Sequence, residues 1–445
     1  MPRVFAFNAI QYRSGRGEVS DLIAPPYDVI GEADKATLLA RNERNIVGID
    51  LPHTPPKELG PAEAYAGAAE KLGAYLRDGT MSRPDTPAMF VYRQTFEYLG
   101  TRHERTGMAC TLETVPFGPR DGGGVLAHEQ TFSGPKEDRL ALMKATRAQL
   151  SPIFGLHADE DGWASEFLRN IASSRSADMS ATLADRVLHE VWTVQDAEAI
   201  KAYQDALAGE DVFVADGHHR YNTAIDYLNH VEETESSVGA QHPARRTMFV
   251  LTGMSDPGLV IGPTHRVLGG MSGYSVDAFL SAASEALDIV QIEWGCSGIE
   301  SEMEATGAAN VFGLIDFASG RCFVATLRDA DPLADTFGDK PKAWRTLDVA
   351  LIQHLIVEHI CEPKLNAGRP VKWVFPHSVE EVMKIGSGPT AGSGGSAGLA
   401  QLAVIVRPTP LHAVKEISRA NVLMPQKSTY FYPKLATGLF VNPLE

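Results

Sequence analysis

The pattern of apolar and polar residues predicts a chain that mixes strands and helices. Short runs rich in β-branched and aromatic residues predict strands, and apolar residues at every third and fourth position predict helices. The predicted strands are 88–96, 106–112, 151–156, 212–215, 247–252, 311–315 and 322–326, and the predicted helices are 63–76, Pro135 to about 149, about 219 onwards, and 348–359. The first two strands flank a turn at 98–103 and are expected to form a hairpin. The pattern therefore predicts a mixed α/β fold.

The most informative segment is a predicted strand, turn and helix in direct succession. Val212–Ala215 is apolar, and the apolar residues between Tyr221 and Leu228 have the spacing of one buried helix face. Between them lies the motif Asp216-Gly-His-His-Arg220. The motif is therefore predicted to lie at the turn and to begin the helix.

The residue types of this motif suit an anionic ligand. Gly217 allows close approach of the backbone, and the first N–H groups of a helix attract anions. Arg220 can hold two phosphate oxygens, and His218 and His219 can transfer protons or bind metal. Asp216 can cap the helix, act as a base or bind magnesium. The alternative is a capped helix with two surface histidines, but five such groups in a row favour a ligand site.

Two motifs in the first third of the chain add candidate groups. Pro25-Pro-Tyr-Asp28 is a proline-stiffened turn, so Tyr27 and Asp28 form either a pocket wall or only a rigid turn. The other motif combines an imidazole, acids and cations within a dozen residues, as an anionic substrate requires, although a solvated helix start explains it equally well. Its members are His128, Glu129, Thr131, Lys136, Asp138 and Arg139.

Two later motifs are more ambiguous. Lys427 and Lys434 flank several hydroxyl groups and can reach phosphate, or they belong to a strand with a solvated face. His265 and Arg266 follow an apolar run, and they either contribute to a site or lie on a surface loop.

Composition narrows the functional classes. The 445 residues allow two or three domains, and 40 Lys and Arg against 56 Asp and Glu give a net charge of −16. This charge disfavours broad binding to nucleic acid or anionic membranes, but leaves room for a local basic pocket. The four cysteines form no CxxC pair, so we expect reduced thiols rather than a zinc site or disulfide framework. No secretory leader or membrane-spanning apolar run is recognised, and a cytoplasmic protein is expected.

Taken together, the motifs resemble a large bacterial and archaeal family, the domain-of-unknown-function 1015 family, often labelled ParB-like or as serine kinases. The resemblance is carried in order by Ala24-Pro-Pro-Tyr-Asp-Val-Ile30, His128-Glu-Gln-Thr131, Lys136-Glu-Asp-Arg139, Ser151-Pro-Ile-Phe154, Asp216-Gly-His-His-Arg-Tyr221, His265-Arg266 and Lys427-Ser-Thr-Tyr-Phe-Tyr-Pro-Lys434. It implies a ParB/sulfiredoxin-like nucleotide-binding core with large additional α+β regions, in which Gly217-His-His-Arg220 matches a Gly-x-x-Arg phosphate motif. Some small relatives phosphorylate free serine with ADP or ATP. The implied domains are an N-terminal α+β region (1–160), the core (161–270) and a C-terminal α+β domain (271–445).

These observations lead to three hypotheses. The first is a magnesium- and nucleotide-dependent phosphotransferase, with ADP or ATP as donor and a small polar hydroxyl compound such as free serine as acceptor. The second is a nucleotide-binding regulator without turnover, and the third is a metal-dependent hydrolase. A homo-oligomer is compatible with each.

In the first hypothesis, the motif residues divide into three roles. The catalytic residues are Asp216, Glu129, His218 and Arg220, with Asp216 or Glu129 as base or magnesium ligand. The nucleotide ligands are Gly217, His218, His219, Arg220, Lys136, Arg139, Lys427 and Lys434. The substrate pocket comprises Tyr27, Asp28, His128, Thr131, Tyr221, His265 and Arg266.

Overall fold

The computed structural model describes residues 2–13, 19–55, 58–129, 134–235, 237–293, 298–387 and 400–445. Its strands are β1 (Val4–Phe5), β2 (Gln11–Tyr12), β3 (Met81–Ser82), β4 (Met89–Tyr98), β5 (Thr101–Glu113), β6 (Val125–Leu126), β7 (Ala148–Gln149), β8 (Ile153–His157), β9 (Met179–Thr182), β10 (Leu188–Val194), β11 (Val212–Asp216), β12 (Arg246–Gly253), β13 (Val260–Gly262), β14 (Arg266–Gly269), β15 (Leu287–Gln291), β16 (Val311–Asp316), β17 (Cys322–Leu327), β18 (Lys372–Val374), β19 (Ala400–Ile405), β20 (Tyr430–Tyr432) and β21 (Asn442–Pro443).

The helices alternate with these strands, which confirms the predicted mixed α/β class. They are α1 (Glu32–Arg41), α2 (Val47–Asp50), α3 (Ala62–Arg77), α4 (Gly134–Thr146), α5 (Trp163–Ser174), α6 (Ala197–Ala206), α7 (His218–Thr234), α8 (Val276–Ala283), α9 (Ile299–Ala305), α10 (Lys342–Arg345), α11 (Asp348–Leu351), α12 (Val379–Ser387) and α13 (Leu411–Arg419). A short 3₁₀ turn covers Pro243–Arg245, and α11 continues as a wider π-type helix over Ile352–Leu365.

The chain forms two compact units. Unit 1 contains residues 1–127, 131–260 and 433–445, and unit 2 contains residues 128–130 and 261–432. The division into three domains at residues 160 and 270 stays a prediction. In the two-unit description, the C-terminal segment belongs with the N-terminal half of the chain.

Unit 1 is built on a mixed sheet with the strand order β6-β11-β8-β12-β5-β4-β10-β9, with β1 paired to β5. Strand β8 runs antiparallel to β11 and parallel to β12, so the end of β11 lies beside the start of β8. The predicted hairpin is present as β4 and β5, whose pairing continues to Tyr98 and Thr101. The turn is therefore only Leu99-Gly100, both with positive φ, as two-residue hairpin turns require.

Helix α4 packs against both α3 and α7 on the helical side of this unit. It ends at Thr146, whereas the sequence predicted an end near Gln149. Arg147 takes a left-handed backbone conformation (φ 46°), and Ala148–Gln149 then pairs with the C-terminal strand β21. A long-range strand pairing therefore ends a helix that local pattern alone would extend.

Unit 2 contains a six-stranded antiparallel sheet with the order β15-β17-β16-β19-β14-β18. Its main apolar core includes Phe312 and Leu314 from the sheet and Ile356 and Ile360 from the π-type helix. Cys110 and Cys361 are free buried thiols. Cys322 is disulfide-bonded, so the prediction of four reduced thiols is wrong at this position. Among the described residues, no helix combines the length and the apolar character needed to span a membrane.

Candidate functional site

The predicted strand, turn and helix are present, with Gly217 between β11 and α7. Gly217 has φ 97°, and a Cβ atom at this position would lie 3.1 Å from Cζ of Arg220. Both the backbone conformation and the approach of the guanidinium therefore require glycine. The first intrahelical bond runs from Tyr221 N to Gly217 O (2.9 Å). The preceding N–H groups, at His218, His219 and Arg220, have no acceptor within the helix, as is general for the first turn.

Asp216 does not cap the helix but forms two ion pairs. Its Oδ2 atom accepts a hydrogen bond from Arg220 Nη2 (2.7 Å), and its Oδ1 atom accepts one from Lys434 Nζ (2.9 Å). Burial raises the pKa of Asp216, but Lys434 and Arg220 lower it more, and the net pKa is well below its ordinary value. We call Asp216, Arg220 and Lys434 the Asp216 triad. It carries one net positive charge at the positive end of a helix dipole.

The other end of Arg220 is also fixed, because its Nη1 atom donates to the carbonyl of Pro152. This carbonyl is available because Asp216 is in register with Phe154, the second residue of the neighbouring strand. The Ser-Pro-Ile-Phe motif therefore supports the Asp216 triad through its backbone.

Lys434 reaches Asp216 because the C-terminal segment is tied to the sheet of unit 1. The carbonyl of Lys434 accepts a hydrogen bond from Gln94 Nε2 (2.9 Å), and that of Pro433 accepts one from Arg105 (2.5 Å). Thr437 pairs through its backbone with Ala24, just before the Pro-Pro-Tyr-Asp turn. Its hydroxyl also bonds to the Ser151 hydroxyl (2.7 Å). Thr437 therefore links three motifs that are far apart in sequence.

A second charged cluster surrounds Arg139. Its Nε and Nη2 atoms donate to Oδ2 of Asp138 (2.8 and 2.6 Å), and Nη1 donates to the carbonyl (2.7 Å) and Oδ1 (3.1 Å) of Asp50. The other carboxylate oxygen of Asp138 lies 3.0 Å from His53 Nε2 and accepts from the Tyr65 hydroxyl (2.8 Å). We call these five residues the Arg139 network. Every donor nitrogen of the Arg139 guanidinium has a hydrogen-bond partner, so the network holds this side chain in one position.

The Arg139 network is connected to Tyr27 of the Pro-Pro-Tyr-Asp motif. The guanidinium of Arg139 lies over the Tyr27 ring, 4.5 Å from its centroid, in a cation–π arrangement. Burial raises the pKa of Tyr27 to about 12, although Arg220 acts in the opposite direction. Burial also raises the pKa of Asp50, against the lowering effect of Arg139.

Both arginines line one cavity of about 40 Å³, which we call the arginine cavity. Its polar wall includes Tyr27, Asp50, Arg139, Ser151 and Arg220, and the remaining wall is largely apolar. Three of the motifs singled out in the sequence, together with Ser151 from a fourth, therefore meet at this cavity. The volume holds a few water molecules or one small group.

The other predicted residues near the turn have different surroundings. Tyr221 is fully buried, and its hydroxyl donates to the carbonyl of Val115 (2.7 Å), so it braces the core. His218 is buried near Phe117, with ring centroids 6.4 Å apart, and His219 is half-buried. Asp28 is exposed, while Lys136 is half-buried near the start of α4. None of these five residues is part of the wall of the arginine cavity.

The remaining predicted residues that the structure describes belong to unit 2. The backbone of Lys427, in a left-handed conformation (φ 58°), donates through its N–H to Glu129 Oε1 (2.7 Å) and accepts from Arg266 Nη2 (3.0 Å). His128 Nε2 lies 2.8 Å from the Thr429 hydroxyl oxygen. The side chain of Lys427 is exposed. Glu129 and Arg266 therefore fix the loop that carries this lysine.

Burial governs the titration of the basic residues in this group. It lowers the pKa of Arg266 to about 10 and that of His265 to about 4. His265 Nδ1 accepts a hydrogen bond from the Val406 N–H (3.2 Å) and is neutral at pH 7. The predicted pocket residue Thr131 lies outside the described residues.

Several residues of the site were not recognised from the sequence. Asp50, His53, Tyr65 and Thr437 were missed, and Asp138 was noted only as part of a charged segment. The only local signal was Asp50 itself, a carboxylate within the apolar run from Ile46 to Leu51. A buried acid in such a run needs a partner, but nothing local identifies Arg139, 89 residues away.

Comparison with known proteins identifies a family. A family model described as a protein of unknown function, DUF1015, matches residues 4–350. No curated protein matches the chain at a significant level.

Solved structures give distant similarities. The chain is similar to a free serine kinase in complex with AMP (11% identity, TM-score 0.31), with 73% of this chain and 95% of that chain covered. It is also similar to a conserved hypothetical protein from Pyrococcus furiosus (14% identity, TM-score 0.32, 74% and 98% covered). A third structure is SbnI with a C-terminal truncation from Staphylococcus aureus (10% identity, TM-score 0.32, 76% and 87% covered).

Proposed function

The chain belongs to the DUF1015 family of proteins of unknown function, and from this premise we propose that it is a nucleotide-dependent phosphotransferase that acts on a small hydroxyl compound. One observation carries the proposal. The Asp216 triad places two cations around one carboxylate directly at the N-terminus of a 17-residue helix. In a chain with a net charge of −16, this is a local positive site suited to phosphate.

In this proposal, the nucleotide phosphates bind at the start of α7. The first-turn N–H groups of α7 bind phosphate oxygens, and Gly217 leaves room for them. Arg220 and Lys434 neutralise the charge that develops on the transferred group, because phosphoryl transfer depends on positioning and electrostatics. Arg139 has a different role, since two carboxylates, those of Asp50 and Asp138, outweigh its single positive charge. It orients Tyr27 and Asp50 and does not contact phosphate directly.

The proton acceptor in this proposal is Asp50 and not Asp216. The low pKa of Asp216, caused by Lys434 and Arg220 acting against burial, makes it a weak base. Asp50 has a raised pKa from burial, is 4% exposed and lines the arginine cavity beside Arg220. The acceptor hydroxyl oxygen attacks the terminal phosphorus, its proton passes to Asp50, and the bond from phosphorus to the leaving nucleotide oxygen breaks. Glu129, the other base predicted from the sequence, belongs to unit 2.

The residues present do not fit magnesium at Asp216. Its two oxygens each accept a hydrogen bond from a cationic side chain, so a divalent ion would have to displace Lys434 and Arg220. One oxygen of Glu129 is likewise bound to the Lys427 N–H. Within the described ranges, no three His, Cys, Asp or Glu side chains are grouped to hold a metal ion. The metal-dependent hydrolase stays a prediction, and no step is assigned to a metal at these residues.

The experiment is phosphoryl transfer followed by ³¹P NMR, with ADP or ATP as donor and a panel of hydroxyl compounds, free serine first. We expect product with the wild type and none with Arg220→Gln. Arg102→Gln, which alters an exposed arginine in the β4–β5 hairpin, is the control that keeps activity. Absence of turnover in the wild type on every compound, or unchanged turnover in Arg220→Gln, would falsify the proposal.

The second candidate function is nucleotide binding without turnover. The fully ion-paired state of Asp216 favours it, because the triad then supplies affinity without a base. Saturable ADP binding without product formation on any compound, together with loss of binding in Arg220→Gln, would support this regulator in place of the enzyme.

A further inference from the structure

The two faces of the sheet in unit 1 differ in chemistry. Val91 of β4, Met108 of β5 and Leu168 of α5 belong to one apolar core. Because side chains alternate along a strand, Gln94 and Arg105 point to the opposite face, where they are direct cross-strand partners. Both are buried, with 1% and 2% of their surface exposed. A buried amide and a buried guanidinium are costly unless each has hydrogen-bond partners.

These partners lie on the C-terminal segment. Arg105 Nη2 donates to the carbonyl of Pro433 (2.5 Å) and to the side-chain oxygen of Gln94. Gln94 Nε2 in turn donates to the carbonyl of Lys434 (2.9 Å). One cross-strand pair therefore holds two successive backbone carbonyls, and the second belongs to the lysine of the Asp216 triad.

Arg105 also contacts the strand beside Asp216. Its guanidinium lies 4.4 Å from the centroid of the Phe154 ring, and Phe154 is the register partner of Asp216. Burial lowers the pKa of Arg105 to about 10, while Tyr92 and Asp256 act in the opposite direction, so the side chain is charged at pH 7. Arg105 therefore contacts both segments that the ion pair at Asp216 joins.

A third hydrogen bond fixes the same C-terminal segment. The N–H of Ala436 donates to the Tyr92 hydroxyl (3.4 Å), and this hydroxyl oxygen lies 2.6 Å from His189 Nδ1. Tyr92 lies two residues before Gln94 on β4 and therefore on the same face of the sheet. The backbone of residues 433–436 is thus held at three points. Because a lysine side chain is long and flexible, its ammonium stays in one place only where the backbone is fixed.

We propose that Arg105 is a positioning residue of the phosphate site at the start of α7. It fixes the backbone of Pro433 and Lys434, and thereby keeps the Lys434 ammonium at Asp216. This role rests on the proposed function, in which the Asp216 triad binds phosphate. Arg105 is not part of the wall of the arginine cavity, and it acts through Lys434 rather than on the ligand.

The test is a double-mutant cycle with ADP as the probe, measured by isothermal titration calorimetry on the full chain. Lys434→Met should weaken ADP binding about tenfold through loss of a charged donor, and Arg105→Met should weaken it in the same direction. Because Arg105 acts through Lys434, the double variant should bind ADP no more weakly than Lys434→Met alone. Losses that add fully in the double variant would overturn the proposal, since Arg105 would then act independently of Lys434.

Carbon-13 NMR of the Asp216 carboxyl group gives a second measurement, which needs no nucleotide. Gln94→Leu removes the hydrogen bond to the Lys434 carbonyl and should raise the pKa of Asp216. Because Gln94 is uncharged, this shift reports the position of Lys434 and not a lost charge. Arg105→Met should shift the pKa in the same direction. An unchanged Asp216 pKa in Gln94→Leu would contradict the positioning role, even if Arg105→Met fails to fold.

Leu168→Ala is the matched control, because it creates a cavity in the core on the other face of the sheet. It should lower the thermal melting temperature and leave both the ADP affinity and the Asp216 pKa unchanged. Shifts in Leu168→Ala equal to those in Gln94→Leu would show a general loss of packing and overturn the proposal. If the wild type does not bind ADP while the Asp216 pKa rises in Gln94→Leu, the positioning of Lys434 stands and the proposed function fails.

Discussion

Arg139 and Arg220 line the same cavity, but their partners give them different properties. Arg139 is shared between two aspartates, and each of its donor nitrogens is bound. Arg220 shares a single aspartate with a second cation, Lys434. The Arg139 network contains more carboxylates than cations, whereas the Asp216 triad contains more cations than carboxylates. Our proposal assigns phosphate binding to Arg220 and not to Arg139 because cations outnumber carboxylates only around Arg220.

The largest expected effect is on stability, through the Arg139 network. Asp138→Ala removes one carboxylate from a buried guanidinium and should lower the free energy of unfolding by about 3–5 kcal/mol. The first unfolding transition in urea measures this loss. Glu70→Ala, which breaks the exposed pair with Arg77, should cost only about 0–1 kcal/mol. Equal losses in the two variants would contradict the structural role of Arg139.

A smaller effect, on binding, is expected at the Asp216 triad. Arg220→Gln should weaken ADP binding about ten- to a hundredfold, because it removes a charged donor to phosphate. Calorimetric titration with ADP measures the change. Arg139→Lys keeps the charge near the same cavity, and we expect it to lower stability more than ADP affinity. A larger loss of ADP affinity than of stability in Arg139→Lys would indicate that Arg139, and not Arg220, binds phosphate.

The pKa of Asp216 provides a further test of the positive charge at the Asp216 triad. Its lowered pKa, set by Lys434 and Arg220 against burial, means that the ionised carboxylate stabilises the folded state. This contribution is complete above the ordinary value of 3.8 and is lost as the pH falls through the lower folded value. In Lys434→Met, the carboxylate should take up its proton at higher pH, as followed by ¹³C NMR. Lys201→Met, which breaks the exposed pair with Asp205, should leave the titration of Asp216 unchanged.

The smallest effect is expected at Thr437. Thr437→Val removes the hydroxyl that bonds to Ser151 and should cost about 1 kcal/mol. Hydrogen exchange of the 433–441 segment should then increase more than that of the α7 helix. Thr182→Val, at an exposed strand position, serves as control. An unchanged exchange rate would show that the Ser151–Thr437 bond does not hold the segment that carries Lys434.

Every helix and strand that the local pattern predicted is present in this fold, although many further elements were not predicted. The helix predicted over 63–76 is α3 (Ala62–Arg77), and the strand predicted over 311–315 is β16 (Val311–Asp316). Such segments satisfy their hydrogen bonds or their apolar faces through short-range periodicity, which the sequence displays directly. The end of α4 was misplaced because a strand pairing with the C-terminus decides it. The end of a helix or strand that depends on pairing with a distant segment cannot be predicted from the neighbouring residues alone.

The candidate site was likewise predicted from the sequence only in part. The turn at Gly217 and the helix that follows were determined by the sequence alone, since the positive φ, the apolar spacing and the charged motif are all local. The partners of that turn were decided by the tertiary structure. Lys434 lies 218 residues from Asp216, and Asp50 lies 89 residues from Arg139. Coulomb attraction falls with distance in space and not in sequence, so only the folded chain could determine which carboxylate each cation meets, and hence which arginine is left with positive charge for a ligand.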